Sequence, residues 1–245
     1  MNDPYSLYDE LIAQAADADA PISQTASGEY WACVSANGRA GFAMATKGNT
    51  VSPTFPGGMD GLPLSLAAAA LKSWNFPEAS MAMAAVNAVL NAAERVERFG
   101  CYQPIERHYT DDLDFTGKTV GVVGHMRGSP RMREQAARIY ILERDPLPGD
   151  YPDPACEYIL PECDIVLISG STLINKTLPR LLVLSKKAFT VLTGPSVPLY
   201  PGLLELGVDR IAGLALTEPD AALAHAARSQ PGNPYYLGLP FVLSK

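Results

Sequence analysis

The sequence lacks the features that mark several classes of protein. Its 245 residues contain no apolar run near the roughly 20 residues that a membrane-spanning helix needs. The four cysteines form no Cys-x-x-Cys pair, so a compact zinc site is not expected, and neither is a disulfide framework. No Gly-x-Ser-x-Gly, Walker or His-Glu-x-x-His motif is present. The first residues show no basic region followed by an apolar stretch, so we expect no secretory signal and a cytoplasmic location.

Positive charge is also scarce. The chain has 19 Lys and Arg residues against 26 Asp and Glu residues, a net charge of −7. Because phosphate backbones and anionic membranes are bound by clustered Lys and Arg, we expect neither nucleic acid nor a membrane as a partner. Hydrophobic residues make up 47% of the chain and charged residues 18%, as in a folded globular protein.

The first half of the chain combines helical patterns with one hairpin. The Asn37-Gly38 pair supplies the positive φ angles of a tight turn, so the sequence on either side of it predicts two paired strands. Helices are predicted over residues 4–19, 64–73 and 77–98, with a loop rich in Gly, Pro, Ser and Thr at 46–61. Such a mixture is typical of a small α+β domain.

After a connector at 104–117, short apolar strands alternate with helices. Strands are predicted at 119–123, 138–142, 164–169, 189–193 and 210–214, and helices at 131–137, 175–186, 200–206 and 218–228. This alternation favours a buried, mainly parallel sheet with right-handed crossovers. We therefore predict an α/β protein with a domain at 1–104 and a Rossmann-like domain at 105–245.

The loops that follow three of these strands are the predicted ligand site. Ligands of open parallel sheets bind beyond the carboxyl ends of the strands. The loops at 124–130, 169–177 and 193–199 are rich in Gly, Ser and Thr, which bring backbone N–H groups close to a ligand. A pocket is predicted there, lined by Gly124, His125, Ser171, Asn175 and Ser196.

Glycines in the first of these loops leave two interpretations open. Gly121, Gly124 and Gly128 give the spacing G-x-x-G-x-x-x-G, which differs from the dinucleotide fingerprint G-x-G-x-x-G. Glu143 and Asp145 lie about 20 residues further on, near the usual ribose-binding position. The glycines indicate either a nicotinamide or adenosyl cofactor, or a sharp turn from strand to helix.

His125 follows the first strand directly. Its imidazole there is either a metal ligand or proton carrier, or a loop histidine that hydrogen-bonds to the backbone. His108 and His225 are expected to be structural or solvated.

Ser171, Thr172, Asn175 and Thr177 form the densest polar cluster of the chain. One of them is expected to cap the following helix, whose start could also bind a carboxylate or phosphate. Asn175 is the residue we most expect to contact ligand, because an amide offers both a donor and an acceptor.

A polar stripe is also predicted on the long helix of the first half. Helical spacing places Asn87, Asn91, Glu94 and Arg98 on one face. This face is either solvated or carries Asn87 to a partner across the domain interface.

Several segments together resemble a known family of unknown function described as "Putative heavy-metal chelation". In the second half the resemblance lies in the runs at 163–178, 193–199 and 205–208, with a compatible segment at 119–124. In the first half it lies in the run at 84–91 and the strands at 30–45.

The resemblance implies an enolase N-terminal-like domain joined to a Rossmann-like domain, with a pocket between them. It implies ligand-binding positions at Asn87, Gly124, Ser171, Thr172, Asn175, Gly194, Pro195 and Ser196. A heavy-metal ion or a metal chelate is the implied cofactor or ligand. His125 is the predicted metal ligand among the pocket loops.

Three functions remain open. Hydroxyls, amides and backbone N–H groups hold a carboxylate-bearing molecule better than a naked transition metal. The first hypothesis is therefore binding of a small polar ligand, a metal chelate or a metal-chelating molecule, with catalysis undecided. The alternatives are an enzyme dependent on a nicotinamide or adenosyl cofactor and a non-catalytic partner of a metal transport system. A homodimer is expected, because two-fold pairs are the commonest oligomers.

Overall fold

A computed structural model describes residues 3–106, 108–126, 128–228 and 232–245. Within these ranges the strands form a three-stranded and an eight-stranded sheet. The strands are β1 Gln24–Ser27, β2 Trp31–Ala36, β3 Arg39–Met44, β4 Gln103–Pro104, β5 Thr119–Val123, β6 Arg138–Glu143, β7 Tyr151–Pro152, β8 Ile165–Ser169, β9 Phe189–Thr193, β10 Arg210–Leu216 and β11 Gly238–Ser244. The helices are α1 Ser6–Ala15, α2 Leu64–Ala69, α3 Phe76–Leu90, α4 Ala93–Phe99, α5 Pro130–Gln135, α6 Cys156–Ile159, α7 Ser171–Ile174, α8 Leu178–Leu184 and α9 Pro219–Ala226. The chain is a mixed α/β protein with a two-domain fold, as predicted.

The small sheet is antiparallel in the order β1-β2-β3. The predicted hairpin between β2 and β3 is present, and its turn residues Asn37 and Gly38 have φ angles of 49° and 73°. Helix α3 lies directly on β3. A Cβ atom added to Gly41 would be 2.1 Å from Ala84 O and from Ala88 N, so a larger residue would push the helix away. The segment 46–61 is irregular, as predicted.

The predicted single helix over 77–98 is wrong, because the chain leaves the helical conformation at Asn91 and Ala92. The side chain of Asn91 is 2% exposed and is bound by backbone groups of the large sheet. Its Nδ2 donates to Val197 O at 2.9 Å and to Leu214 O at 3.1 Å, and its Oδ1 accepts from Leu199 N at 2.7 Å. These three bonds fix the point at which α3 ends and α4 begins.

The large sheet has the order β4-β11-β10-β9-β8-β5-β6-β7. Strands β5 to β10 are parallel to one another, which confirms the predicted mainly parallel sheet. Counted along the chain, these six run third, second, first, fourth, fifth, sixth. This is the order of doubly wound sheets, although the connection between β6 and β7 contains no helix. The order reverses between β5 and β8.

Two predicted helices of the second half differ from the structure. The segment 175–186 is divided into α7 and α8, because Lys176 adopts the left-handed conformation with φ 67° and interrupts the helix. The segment 200–206 is a 3-10 turn, Pro201–Leu204. The remaining two correspond to α5 and α9.

Apolar packing joins the two sheets. Trp31 and Phe42 of the small sheet share one buried cluster with Leu214 of β10 and Leu223 of α9. A second cluster contains Leu7 of α1 together with residues of α7 and α8. The domain division at residue 104 stays a prediction, and Gln103 and Pro104 pair with β11 of the large sheet.

Candidate functional site

The reversal of strand order creates the first candidate site. In doubly wound sheets the point of reversal is where a ligand crevice is expected, at the carboxyl ends of the strands, and here it lies between β5 and β8. The loops predicted from the sequence as ligand-binding lie at this end. Arg127, which falls in the first of them, lies outside the described residues.

Gly124 and a pair of serines meet at the switch point. Gly124 follows β5 with φ 107°, and a Cβ atom there would lie 3.0 Å from Ser169 Cβ. The Oγ atoms of Ser169 and Ser171 are 2.9 Å apart, and Ser171 N donates to Ser169 Oγ at 3.4 Å. The loops after β5 and β8 therefore contact each other, and two half-buried hydroxyls lie at the contact.

The loop after β9 packs against the same strand end. A Cβ atom on Gly170 would lie 2.7 Å from Val197 Cγ2 and 2.9 Å from Val197 N, so the two loops touch through their backbones. Gly194 lies beside Gly170, and Pro195 is half-buried next to it. Ser196 is buried, and its Oγ accepts a hydrogen bond of 2.8 Å from Met44 N of β3. Ser196 thus fastens this loop to the small sheet.

Two other predicted residues serve the local geometry of the loop after β8. Thr172 is buried and donates from Oγ1 to Ser169 O at 2.7 Å. Asn175 lies at the end of α7, and its Oδ1 accepts from Thr177 N at 3.2 Å and from Thr177 Oγ1 at 2.7 Å. The expectation that Asn175 begins the helix after β8 is wrong, because that helix begins at Ser171. In this structure Asn175 closes a tight turn around Lys176.

Asn87 is fully buried between α3 and β3. Its Nδ2 donates to Phe42 O at 2.8 Å, and its Oδ1 has no hydrogen-bond partner in the described part of the chain. The described bond stays within the first half, whereas Asn91, one turn further on, reaches the large sheet. The prediction that Asn87 makes the contact across the interface is corrected accordingly.

His125 is held between two carboxylates. Its Nε2 lies 2.6 Å from Asp150 Oδ2, and its backbone N donates to Glu143 Oε1 at 2.9 Å. The hydrogen bond from His125, helped by one from Leu147 N, holds the pKa of Asp150 below its usual value. Among the described residues no group of three or more His, Cys, Asp and Glu side chains is placed to hold a metal ion.

A cationic group that the sequence did not single out lies at the same end of the sheet. The ammonium of Lys176 is 5.6 Å from the centroid of the Phe76 ring and 5.8 Å from that of Tyr8. The guanidinium of Arg144, directly after β6, lies 5.8 Å from the same Phe76 ring. No local pattern predicts this arrangement, because the rings belong to the first half of the chain and the cations to the second.

A large cavity lies elsewhere, beside the connector and the amino end of β10. It has a volume of about 1280 Å³, and its lining includes His108, Asp112 and Arg210. Arg210 is 6% exposed and forms two bonds of 2.6 Å to the Asp112 carboxylate. It also donates to Tyr109 O at 2.9 Å and to Ser244 Oγ at 2.7 Å.

Cavity volume and strand topology therefore point to different ends of the sheet. We favour the carboxyl end, because Arg210 in the large cavity is already paired within the protein. At the switch point, hydroxyls and cations are left with few internal partners.

The other two histidines have partners of their own. His108 Nδ1 lies 2.8 Å from Thr110 Oγ1, and His225 Nδ1 lies 2.9 Å from Tyr236 Oη. The structural interpretation of both agrees with these contacts.

Comparison with known proteins supports the resemblance. Two family models match, at residues 111–234 and 8–90, and both are described as "Putative heavy-metal chelation". The chain belongs to the DUF364 family. A solved protein of unknown function from this family, from Desulfitobacterium hafniense DCB-2, is 32% identical, with a TM-score of 0.86 over 100% of this chain and 99% of that one.

A more distant DUF364 protein shows the same fold. A structure from Pyrococcus horikoshii is 22% identical, with a TM-score of 0.76 over 99% of both chains. An uncharacterised protein of Methanocaldococcus jannaschii is 32% identical over 162 residues, which are 62% of this chain and 60% of that protein. No helix in the described part of the chain has the length and apolar character to cross a membrane.

Proposed function

We propose that the protein binds a small polar ligand, a heavy-metal chelate or a metal-chelating molecule, in the crevice between the small sheet and the carboxyl end of the large one. The observation that carries the proposal is the Ser169–Ser171 hydroxyl pair beside Gly124 at the switch point. The family description of both matched regions agrees with it.

The donor set favours a chelate over a naked ion. Hydroxyls and backbone N–H groups bind the oxygens of an organic ligand, whereas soft or borderline metals prefer thiolate and imidazole. Cys33, Cys156 and Cys163 are buried, and burial raises the pKa of each thiol. The imidazole of His125 is engaged by Asp150. The metal would therefore be carried by its own organic ligand.

In this proposal the predicted residues have different tasks. Gly124 and Ser171 face the ligand, with Gly194 and Pro195 on the neighbouring loop. Thr172, Asn175 and Ser196 hold the loops in place, and Asn87 supports β3 beneath them.

A nicotinamide or adenosyl cofactor is less well supported. Glu143, predicted for the ribose, accepts from His125 N at 2.9 Å through one oxygen and from Arg144 N at 2.7 Å through the other. Both oxygens are thus already occupied by backbone donors. No specific contact favours a partner in a transport system, and the cytoplasmic location and the homodimer stay predictions.

The test is a thermal-shift comparison of Ni²⁺ alone, citrate alone and the Ni²⁺–citrate complex, together with elemental analysis of protein taken directly from cells. We expect the complex to raise the melting temperature more than either component does, since a ligand of the native state stabilises it. Ser171→Ala should reduce that shift, and the exposed Ser23→Ala should not. A shift as large with Ni²⁺ alone would contradict the chelate proposal.

A further inference from the structure

Lys176 is enclosed in an apolar setting. Its side chain is half-buried and lies over the rings of Tyr8 and Phe76, on α1 and α3. Its Nζ donates to Ile174 O at 2.6 Å, which uses one of the three N–H bonds of an ammonium group. Within the described ranges, the other two N–H donors have only aromatic ring faces beside them, which are weak acceptors.

No carboxylate compensates this charge among the described residues. The ion pairs among the described residues involve other cations, and Lys176 takes part in none of them. Burial alone lowers its pKa from 10.5 to about 8, without a contribution from any charged neighbour. In a chain with a net charge of −7, a half-buried cation without an acidic partner is unusual.

Arg144 adds a second cation at the same ring. Its guanidinium lies 5.8 Å from the Phe76 centroid, and no ion pair is found for it in the described part of the chain. The ring itself is held in place, because Phe76 N donates to Gly48 O at 2.7 Å and Gly48 leaves no room for a side chain beside it. Both charges therefore lie within 5.8 Å of one fixed point.

The position of this pair relates it to the crevice. Arg144 follows β6 and Lys176 follows α7, so the two cations flank the carboxyl end of β5, where Gly124 lies. The backbone of Lys176 is strained, with φ 67°, and the turn closed by Asn175 and Thr177 maintains it. In this conformation the ammonium lies over the rings of Tyr8 on α1 and Phe76 on α3.

We infer that Lys176 and Arg144 bind an anionic oxygen group of the ligand, a carboxylate or a phosphate, at the Phe76 ring. This inference rests on the proposed function and specifies the ligand class: an acid whose charge the two cations neutralise. A planar guanidinium and a compact ammonium on either side of the group would give it charge-assisted hydrogen bonds from two directions.

The experiment measures binding of citrate and of pyrophosphate, each without metal, by calorimetry. Lys176→Met keeps the apolar stem and removes the charge, and Arg144→Gln removes the second cation. The matched control is Lys187→Met, an exposed lysine of the same charge with no described partner. We expect each site variant to weaken binding at least about tenfold and the control to stay within about twofold.

Binding of citrate alone would identify a carboxylate site, and binding of pyrophosphate alone a phosphate site. Lys176→Arg, which keeps the charge, should restore binding, and this separates loss of charge from loss of fold. Equal weakening in Lys176→Met and Lys187→Met would overturn the inference, as would no binding of either anion to the unaltered protein.

The two proposals fail in different ways. If Ni²⁺–citrate binds equally to the unaltered protein and to Lys176→Met, the inference about the cations is wrong and the proposed function stands. If anion binding requires Lys176 but Ni²⁺ adds nothing to it, the chelate proposal is wrong and the anion site stands.

Discussion

The two ends of the large sheet contain charged side chains in opposite states. At the amino end, Arg210 lies in a cavity of about 1280 Å³, and all of its described donors are bound by Asp112, Tyr109 and Ser244. At the carboxyl end, Lys176 has one backbone acceptor and two aromatic rings. The cation in the large cavity thus has its acceptors within the protein, and the cation at the carboxyl end has no carboxylate partner among the described residues.

This contrast separates stability from recognition. A buried guanidinium whose nitrogens all donate to acceptors within the protein stabilises its surroundings. It has little capacity left to form hydrogen bonds with a ligand. A desolvated ammonium without an acidic partner costs stability that a bound anion would recover. Substitutions at the two ends should therefore differ in which measurement they change.

The largest effect is expected at Asn91, which binds the loop after β9 to the end of α3. Asn91→Ala removes the amide nitrogen that donates to Val197 O and Leu214 O, and it removes the oxygen that accepts from Leu199 N in a buried site. The free energy of unfolding should fall by about 3 kcal/mol. Denaturant titration measures it, with Asn49→Ala in the exposed loop as the control. A loss below that of one hydrogen bond would show that the loop is held by other contacts.

Arg210→Met should lower the free energy of unfolding by about 2 kcal/mol, because Asp112, Tyr109 O and Ser244 lose their common donor. The surface pair of Arg180 with Glu157 offers a control, and Arg180→Met should cost less than about 1 kcal/mol. Anion binding should be unaffected in both. If Arg210→Met lost anion binding and kept its free energy of unfolding, the comparison would be reversed, and the large cavity would be the ligand site.

Asn175→Ala opens the turn around Lys176 and should cost about 1 kcal/mol, the value of a neutral hydrogen bond or two. Because this turn holds the backbone of Lys176 in the conformation that positions its ammonium, the affinity for anions should fall as well. Calorimetry and denaturation on this one variant separate the two effects. Unchanged affinity would mean that the left-handed conformation of Lys176 persists without the amide.

The smallest effect concerns pH. The pKa of Lys176 is lowered by burial from its ordinary value of 10.5 to about 8 in the folded protein, so the unfolded chain binds more protons between these values. Stability conferred by the unaltered side chain therefore rises with pH across that window. Lys176→Met should melt slightly higher than the unaltered protein below pH 8, and the difference should shrink toward pH 10.

The tyrosine ring that faces Lys176 would not produce the same pH dependence of the melting temperature. Burial raises the pKa of Tyr8, which therefore stays neutral across the window. Melting curves of both proteins at several pH values measure the difference. A constant offset would mean that Lys176 is not desolvated.

The sequence predicted those parts of the fold whose signal is local. The Asn37-Gly38 turn and the apolar strands β5, β6, β8, β9 and β10 are present near their predicted positions. Strands β4 and β11 were missed, because they pair antiparallel at the sheet edge and carry Pro104, Gly238 and Pro240, which are unfavourable in strands. Their pairing depends on contacts between distant segments.

For the candidate site, too, the sequence predicted the features that have a local signal. Glycine and hydroxyl residues after apolar strands identified the loops, since strand ends meet at one edge of a parallel sheet. Asn91 was placed on the polar stripe but its contacts were not predicted, and Lys176 was not singled out, because the partners of both lie in the other half of the chain. Asn175 was assigned to a helix start that the left-handed conformation of the next residue excludes.

The apolar cluster shared by the two sheets has a consequence for ligand exchange. Swinging the small sheet away from the large one would expose Trp31, Phe42, Leu214 and Leu223 to water, and each large apolar side chain costs about 2 kcal/mol to expose. The segment 46–61 is mostly exposed and is tied down by a few bonds, such as Asn75 Nδ2 to Val51 O. Because Gly48 of this segment contacts the Phe76 ring, a ligand of the proposed site is expected to enter and leave as the loop moves, at rates typical of loops rather than of hinged domains.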